Sequence, residues 1–261
     1  SYRYRLSPEY PFPVPVNDCF NASQYFIENA VKFGVDPNRI AIIGASAGGT
    51  LAAAVMNKMI MEEFSPLPKL QILIYPALQG FHFMTPSYLK YDGLGERGII
   101  TSKMLVHMWT NYAFGKSKNI SQYLNNVHIS GDQRRSKLFS FVHESNIPEH
   151  MRKDSIGLTR ISEFDSQLCK ESTDIMTNPY FSPLLVQDDV LERVPRTFVV
   201  TTDFDPLRDD GLLLVSRLNK LGVPVEHDHF VGHDHGLFTI DRCSGHTILM
   251  EKIQSFFKNH I

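Results

Sequence analysis

The sequence predicts an α/β fold in which a mostly parallel sheet is flanked by helices. Short β-branched runs alternate with helical patterns, and a G-x-S-x-G pentapeptide joins one such run to a helix. The 261 residues, of which 43% are hydrophobic, suffice for one large core, so we expect a single domain over residues 1–261. A formal net charge of −2 argues against nucleic-acid binding. No apolar run reaches about eighteen residues, the length that a transmembrane helix needs.

The first predicted elements lead to the pentapeptide. Apolar residues at three- and four-residue spacing predict a helix over residues 18–33, which Gly34 ends. Residues 39–44 are a short β-branched run typical of a strand buried on both faces. The alanine- and methionine-rich residues 47–64 then predict a buried helix.

The later elements continue the alternation of strands and helices. A second buried strand is predicted over residues 70–75 and a third strand over residues 196–201, and residues 225–230 are a candidate for a fourth. The last two of these strands enclose a helix whose apolar stripe is formed by Leu207, Leu214, Leu218 and Leu221. A final amphipathic helix has Leu249, Ile253, Phe256 and Phe257 on one face.

One long interval breaks this rhythm. About a hundred residues separate the second strand from the third, far more than a usual connection. We therefore expect a cap or lid insertion over residues 79–180, approximately. Within it, residues 102–115 are predicted to be helical, residues 130–140 and 148–165 to be irregular, and one further helix to return to the sheet.

The pentapeptide Gly44-Ala45-Ser46-Ala47-Gly48 predicts that Ser46 is a nucleophile. A sharp turn between a buried strand and a helix lifts the serine Oγ above the sheet. The small residues Gly44, Gly48 and Gly49 would let strand and helix approach, and the Ala47 N–H could donate to an oxyanion.

A serine nucleophile needs a base and an acid that orients the base. Acid candidates Asp203 and Asp205 follow the third strand, and base candidates His233 and His235 follow the fourth. Both groups lie at the carboxyl ends of predicted parallel strands, where sites form in α/β folds. The spacing alone does not choose within either pair.

For the other acidic and histidine residues nearby, the pattern favours roles outside the triad. Asp209 and Asp210 are predicted to stabilise the dipole in the first turn of the following helix. His227 and His229 alternate along one strand face as cross-strand or surface residues. A metal site that adds Asp228 and Asp234 to the histidines is the competing interpretation, but no recognised metal-binding spacing accompanies them.

Six motifs in order resemble the arylacetamide deacetylase family, in the hormone-sensitive-lipase branch of the α/β hydrolases. They are YRLSPEYPFP, GVDPNRIAIIGASAGG, LIYPALQ, NPYFSPLL, DFDPLRDDG and GHDHGLF. The resemblance implies an α/β-hydrolase fold and a triad of Ser46, Asp205 and His235. It also implies a carboxylic ester hydrolase acting on small esters, acetylated arylamides or lipid esters, with neither cofactor nor metal.

The chain departs from the family pattern in two places. Ala45 stands where the family usually has Asp, and no H-G-G-G oxyanion loop occurs in the sequence. We expect that loop and the first strands of the fold to lie upstream of Ser1, which leaves residues 39–44 at an exposed sheet edge. The alternative is a truncated, catalytically silent homologue that acts, if at all, by binding.

Family resemblance suggests a location at the lumenal face of the endoplasmic reticulum membrane, with any membrane anchor outside this chain. Two sequons, at Asn21 and Asn119, would then be glycosylation candidates. The three cysteines, Cys19, Cys169 and Cys243, are too few for a disulfide framework, and we expect buried thiols, with one bridge left open.

Overall fold

The computed structural model describes residues 3–91, 98–152, 163–238 and 244–261. In these ranges four strands form one parallel sheet in the order β1-β2-β3-β4. They are β1 (Ala41–Ala45), β2 (Leu70–Ile74), β3 (Arg196–Phe204) and β4 (Val225–Asp234). All four coincide with predicted strands, although β3 and β4 extend several residues further, so the predicted parallel α/β sheet is confirmed.

The helices of the described residues surround this sheet. The α-helices are, in chain order, α1 (Val14–Glu28), α2 (Ala47–Met61), α3 (Pro86–Lys90), α4 (Ser102–Phe114), α5 (Ile120–Leu124), α6 (Gly131–Arg135), α7 (Lys137–Phe141), α8 (Glu149–Arg152), α9 (Ser166–Met176), α10 (Asp188–Leu191), α11 (Arg208–Lys220) and α12 (Ser244–His260). Short 3₁₀ turns occur at Ala30–Phe33, Glu144–Asn146 and Pro183–Leu185.

Helices cover both faces of the sheet, as a parallel sheet requires. Helix α12 packs its predicted apolar stripe against one face, where Leu249, Ile253 and Phe256 meet residues of β2 and β3. Helices α2 and α11 cover the other face, and α1 packs on the outside of α2. Helix α2 is buried almost throughout, in agreement with its uniformly apolar composition.

The first helix differs from its prediction. It begins at Val14 rather than at residue 18 and ends at Glu28, after which a separate 3₁₀ turn leads to Gly34. Pro15 lies in the first turn, where it is tolerated because the backbone N–H groups there have no helical acceptor. Gly34 has φ of 71°, so its predicted role in ending the helical segment is confirmed.

The connection from β2 to β3 contains helices α3–α10. Our prediction that residues 130–140 are irregular was wrong, because α6 and α7 lie there. Each begins at a serine that caps it: Ser130 Oγ accepts from Gln133 N at 3.1 Å, and Ser136 Oγ accepts from Phe139 N at 3.3 Å. Of residues 148–165, Glu149–Arg152 is helical, and residues 153–162 lie outside the described part.

Two buried carboxylates tie the start of α11 to the chain that follows β2. Asp210 accepts hydrogen bonds from Leu78 N at 2.9 Å and from Gln79 Nε2 at 3.0 Å. Asp209 accepts from Ser87 N at 2.7 Å. The predicted first-turn position of both is confirmed, and both side chains are fully buried there.

Strand β1 pairs only with β2 among the described residues and therefore lies at a sheet edge. The edge position expected from the sequence is present, but the prediction that this strand is buried on both faces was wrong: none of its five residues is buried, and Ile43 is 45% exposed. None of the described helices combines the length and the apolar character needed to cross a bilayer.

Candidate active site

Ser46 occupies a strained turn between β1 and α2. Its φ of 55° is unusual for a residue with a side chain. The backbone around it is held on both sides, since Ser46 N donates to Ile74 O at 2.9 Å and Ser46 O accepts from Gly49 N at 2.9 Å. The sharp strand-to-helix turn predicted from the pentapeptide is therefore present.

The glycines of the motif differ in how much they are needed. A Cβ on Gly44 would lie 2.1 Å from Gly48 O, and a Cβ on Gly49 would lie 2.7 Å from Pro76 Cβ. These two glycines allow β1, α2 and the end of β2 to approach closely. A Cβ on Gly48 would meet nothing within 4 Å, so its absence is not required by packing.

The structure brings Ser46, His235 and Asp205 together. The Nε2 atom of His235 lies 2.8 Å from Ser46 Oγ, and its Nδ1 atom lies 2.9 Å from Asp205 Oδ2. His235 follows directly after β4 and Asp205 directly after β3, so the carboxyl ends of parallel strands position both. Asp205 is fully buried, and His235 is 8% exposed.

Further hydrogen bonds hold the Asp205 carboxylate in place. Leu207 N donates to Oδ1 at 2.8 Å, and the Thr202 hydroxyl donates to Oδ2 at 3.3 Å. An ionised Asp205 accepts from the His235 Nδ1–H, which leaves Nε2 as the nitrogen that accepts the Ser46 hydroxyl proton. The geometry therefore fits a serine hydroxyl next to a correctly oriented base.

Tyr75 supports His235 and was not identified from the sequence. Its ring centroid lies 4.5 Å from that of His235, and its hydroxyl accepts from Phe238 N at 3.0 Å. Burial raises the pKa of Tyr75 to about 12. Its position directly after β2, in the LIYPALQ segment, is the signal that could have identified it.

The other acid candidate, Asp203, lies in a separate group with the strand histidines His227 and His229. His227 Nε2 and His229 Nδ1 each lie 2.9 Å from Thr201 Oγ1, as cross-strand neighbours on β3 and β4. Asp203 Oδ1 lies 3.1 Å from His229 Nε2, and its Oδ2 accepts from Gly232 N at 2.8 Å. Asp203 thus pairs with His229, whereas Asp205 pairs with His235.

These contacts also affect the ionisation of Asp203. Burial acts to raise its pKa, but the hydrogen bonds from Gly232 and His229 outweigh burial and hold the pKa below its ordinary value. His233 instead packs edge-on against Phe230, with ring centroids 6.0 Å apart. Within the described ranges, no group of three or more His, Cys, Asp or Glu side chains is arranged to hold a metal ion.

A largely apolar cavity of about 270 Å³ adjoins Ser46. Helix α4 contributes Leu105, Met108, Trp109 and Tyr112 to its wall, and the start of α2 contributes Ala47, Thr50 and Leu51. Among the residues that the structure describes, none of those lining this cavity carries a charged side chain. Ala47 is the first residue of α2, so its N–H is among those without an intrahelical acceptor.

The predicted glycosylation and cysteine positions are partly described. Asn21 is exposed within α1, and Asn119 is exposed immediately before α5. Cys19 is a buried free thiol whose pKa burial raises to about 11, and Cys169 is a half-buried free thiol. Cys243 lies outside the described residues.

Comparison with known proteins agrees with the fold. A family model described as alpha/beta hydrolase fold matches residues 1–145 and 142–239. Arylacetamide deacetylase from Bos taurus is 40% identical over 241 residues, which cover 90% of this chain and 58% of that protein. Neutral cholesterol ester hydrolase 1 from Rattus norvegicus is 34% identical over 241 residues, with the same shares of 90% and 58%.

A solved structure, a bacterial heroin esterase, is also similar. It is 27% identical with a TM-score of 0.69, and the match covers 99% of this chain and 63% of the esterase. The resemblance to arylacetamide deacetylases that the motifs predict is confirmed. The chain spans 58% of the length of the two curated relatives described above.

Proposed function

The chain belongs to the α/β-hydrolase fold family, and on that premise we propose that it is a serine hydrolase of carboxylic esters with Ser46 as its nucleophile. One observation carries this proposal: His235 lies between Ser46 Oγ, at 2.8 Å, and Asp205 Oδ2, at 2.9 Å. This chain of hydrogen bonds has the order nucleophile, base and orienting acid.

In the proposed acylation step, Ser46 Oγ attacks the carbonyl carbon of the substrate while His235 Nε2 takes the hydroxyl proton. The buried Asp205 carboxylate stabilises the imidazolium that forms and keeps Nδ1 protonated. His235 then gives its proton to the departing alcohol or amine, and the acyl group remains on Ser46. A water molecule then attacks the acyl group while His235 Nε2 takes a proton from it. His235 passes this proton to Ser46 Oγ, which releases the acid and restores the Ser46 hydroxyl.

The negative charge that develops on the substrate oxygen needs hydrogen-bond donors. The Ala47 N–H at the start of α2 is the donor that we assign to this oxygen, helped by the positive end of the helix dipole. A hydrolase of this class uses more than one such donor, and loss of one typically lowers kcat by about a hundred- to a thousandfold.

The substrate class follows from the cavity beside Ser46. Its described walls are largely apolar and carry no charged side chain, which favours an uncharged acyl or aryl group over an ionic one. The names of two relatives refer to an arylacetamide and to a cholesterol ester. We therefore propose acetylated arylamides, small esters or lipid esters as substrates.

We assign a cap role to residues 79–180, approximately, because α4 supplies much of the wall of the cavity beside Ser46.

For the whole protein we propose a location at the lumenal face of the endoplasmic reticulum membrane, with glycans at Asn21 and Asn119. Endoglycosidase treatment of the protein made in animal cells should raise its electrophoretic mobility, and the double variant Asn21→Gln, Asn119→Gln should not respond. A wild-type protein that does not respond would contradict the lumenal location.

Labelling by a fluorophosphonate tests the nucleophile directly, because such probes modify an activated serine. We expect the wild-type chain to be labelled and to hydrolyse p-nitrophenyl acetate, and Ser46→Ala to do neither. Ser255→Ala is the matched control, since Ser255 is an exposed serine on α12. Labelling that persists in Ser46→Ala would overturn the assignment.

The same labelling experiment distinguishes a serine hydrolase from the alternative of a catalytically silent homologue. A wild-type chain that folds, as judged by circular dichroism, but takes up no probe would favour a homologue that binds without catalysis. Chelator treatment tests the remaining metal-dependent interpretation, in which activity would disappear and return with zinc.

A further inference from the structure

A second cavity, larger than the one at Ser46, lies between the α6–α7 segment and the C-terminal half of α11. Its volume is about 550 Å³, and none of its lining residues is shared with the cavity at Ser46. The 3₁₀ turn Glu144–Asn146 closes part of its edge. The reaction proposed at Ser46 uses no residue of this cavity.

The lining of this cavity is strongly basic. Its charged members are five cations and one carboxylate: Arg134, Arg135, Lys137, Arg217, Lys220 and Asp188. Asp188 forms ion pairs with two of the cations: Lys137 Nζ lies 2.9 Å from its Oδ2 atom, and Arg217 Nη2 lies 2.5 Å from its Oδ1 atom. Asp132 Oδ1 also lies 2.6 Å from Arg135 Nη2. Two carboxylates therefore compensate part of the charge of the five cations, and the cavity keeps an excess of positive charge.

Arg217 lines the cavity, and several contacts hold its side chain in place. Its guanidinium also donates to the carbonyl oxygens of Leu184 and Val186, and it lies 3.6 Å above the ring centroid of Phe141. The side chain is 5% exposed, so its charge is fixed within the protein. Burial lowers its pKa, against the opposing effect of Asp188.

Arg134 and Lys220 are held by neutral groups rather than by carboxylates. Arg134 Nη2 donates to Asn126 O at 2.9 Å, and Lys220 Nζ donates to Asn146 Oδ1 at 2.6 Å. A neutral acceptor positions a cation without cancelling its charge. An arginine has five N–H donors and a lysine three, so both keep donors for a ligand.

From this arrangement we infer that the cavity binds a phosphate-bearing anion. Arginine guanidinium groups match the oxygens of a phosphate in geometry as well as in charge, and lysine adds a point charge. The half-buried Phe139 lines the same cavity and offers apolar surface to the remainder of the ligand. The phosphate belongs either to a free phosphate compound or to a lipid headgroup.

Calorimetric titration with inorganic pyrophosphate tests the site, and flotation with phosphatidylcholine vesicles, with and without phosphatidic acid, tests the lipid source. We expect saturable binding of at least one of these probes. Arg134→Gln and Lys220→Gln should each weaken it about tenfold or more, as the loss of a charge-assisted hydrogen bond does. Lys220 is an exposed residue at the end of α11, so its variant should fold even if Arg134→Gln does not.

Lys32→Gln is the matched control, because Lys32 Nζ also donates to an asparagine side-chain oxygen, Asn29 Oδ1, at 2.6 Å but lies outside the cavity. It should bind the probe as the wild type does. An equal loss in Lys32→Gln, or no saturable binding of either probe by the wild type, would overturn the proposal. Ester hydrolysis should be unchanged in all three variants, so a failure here is separate from a failure of the Ser46 assignment.

Discussion

The ring of Tyr75 packs against the imidazole of His235, with 4.5 Å between the ring centroids. The Tyr75 hydroxyl also accepts a hydrogen bond from Phe238 N, three residues beyond His235. One side chain at the end of β2 therefore contacts the proposed base and holds the loop that carries it. This arrangement couples the central sheet to the position of His235.

Tyr75→Phe should keep the ring contact and remove the hydrogen bond to Phe238. We expect kcat/KM for p-nitrophenyl acetate to fall about two- to tenfold, the usual value of one neutral hydrogen bond. Tyr25→Phe is the control, because Tyr25 is 62% exposed on α1. Unchanged kinetics in Tyr75→Phe would mean that other contacts position the His235 loop.

Asp205→Asn should leave the fold intact and lower kcat by about ten-thousandfold, as the equivalent change does in a serine protease triad. The asparagine amide can donate to Nδ1, which moves the proton to Nε2 and removes the acceptor for the Ser46 hydroxyl. Steady-state kinetics with p-nitrophenyl acetate measure this effect.

Asp203→Asn provides the comparison within the same strand end. Because Asp203 contacts His229 and Gly232, its loss should leave kcat within about tenfold of the wild type. Comparable losses in the two variants would contradict the assignment of Asp205 as the residue that orients the base.

Gly44→Ala should lower the free energy of unfolding, whereas Gly48→Ala should not. A Cβ on Gly44 would collide with backbone at Gly48, and overpacking of this kind costs about 1–3 kcal/mol. A Cβ on Gly48 meets open space in the first turn of α2, so alanine there should leave the free energy of unfolding unchanged or raise it by up to about 1 kcal/mol. Urea unfolding of both variants measures the difference, and equal destabilisation would refute it.

The sequence predicted the sheet and the candidate triad because both depend on local patterns. Buried strands are recognised by their β-branched runs, and Ser46, Asp205 and His235 each follow such a run. Spacing could not separate His233 from His235, because the predicted strand ends at residue 230, whereas β4 continues to Asp234 and includes His233. Family resemblance made that choice, and the distances agree with it.

Other features had no local signal. Helices α6 and α7 are five residues long each, too short for an apolar periodicity, and only their serine caps mark them. Asp209 pairs with the adjacent Arg208, but the other partners of Asp209 and Asp210 are more than a hundred residues away in the sequence, at Ser87, Leu78 and Gln79. An acidic pair in a first turn therefore looks like a dipole partner until the fold brings these donors to it.

The buried Asp210 should make stability depend on pH. Burial raises its pKa to about 7, although hydrogen bonds from Gln79 and Leu78 oppose the shift. The folded chain then keeps a proton on Asp210 that the unfolded chain releases near its ordinary value of 3.8. Between these two values the folded state binds more protons, so the contribution of Asp210 to stability decreases as pH rises through this window.

Urea unfolding of wild type and Asp210→Asn at about pH 5 and about pH 8 isolates this contribution. Asparagine does not titrate but loses one of the two hydrogen bonds, so it should be less stable than the wild type at the lower pH. The gap should narrow by up to a few kcal/mol at the higher pH, where the buried carboxylate must ionise. Asp132→Asn is the control, since the Asp132 side chain is 95% exposed, and its gap should not change in the same way. A gap for Asp210→Asn that widens as pH rises would mean that the hydrogen bonds to the carboxylate outweigh its burial.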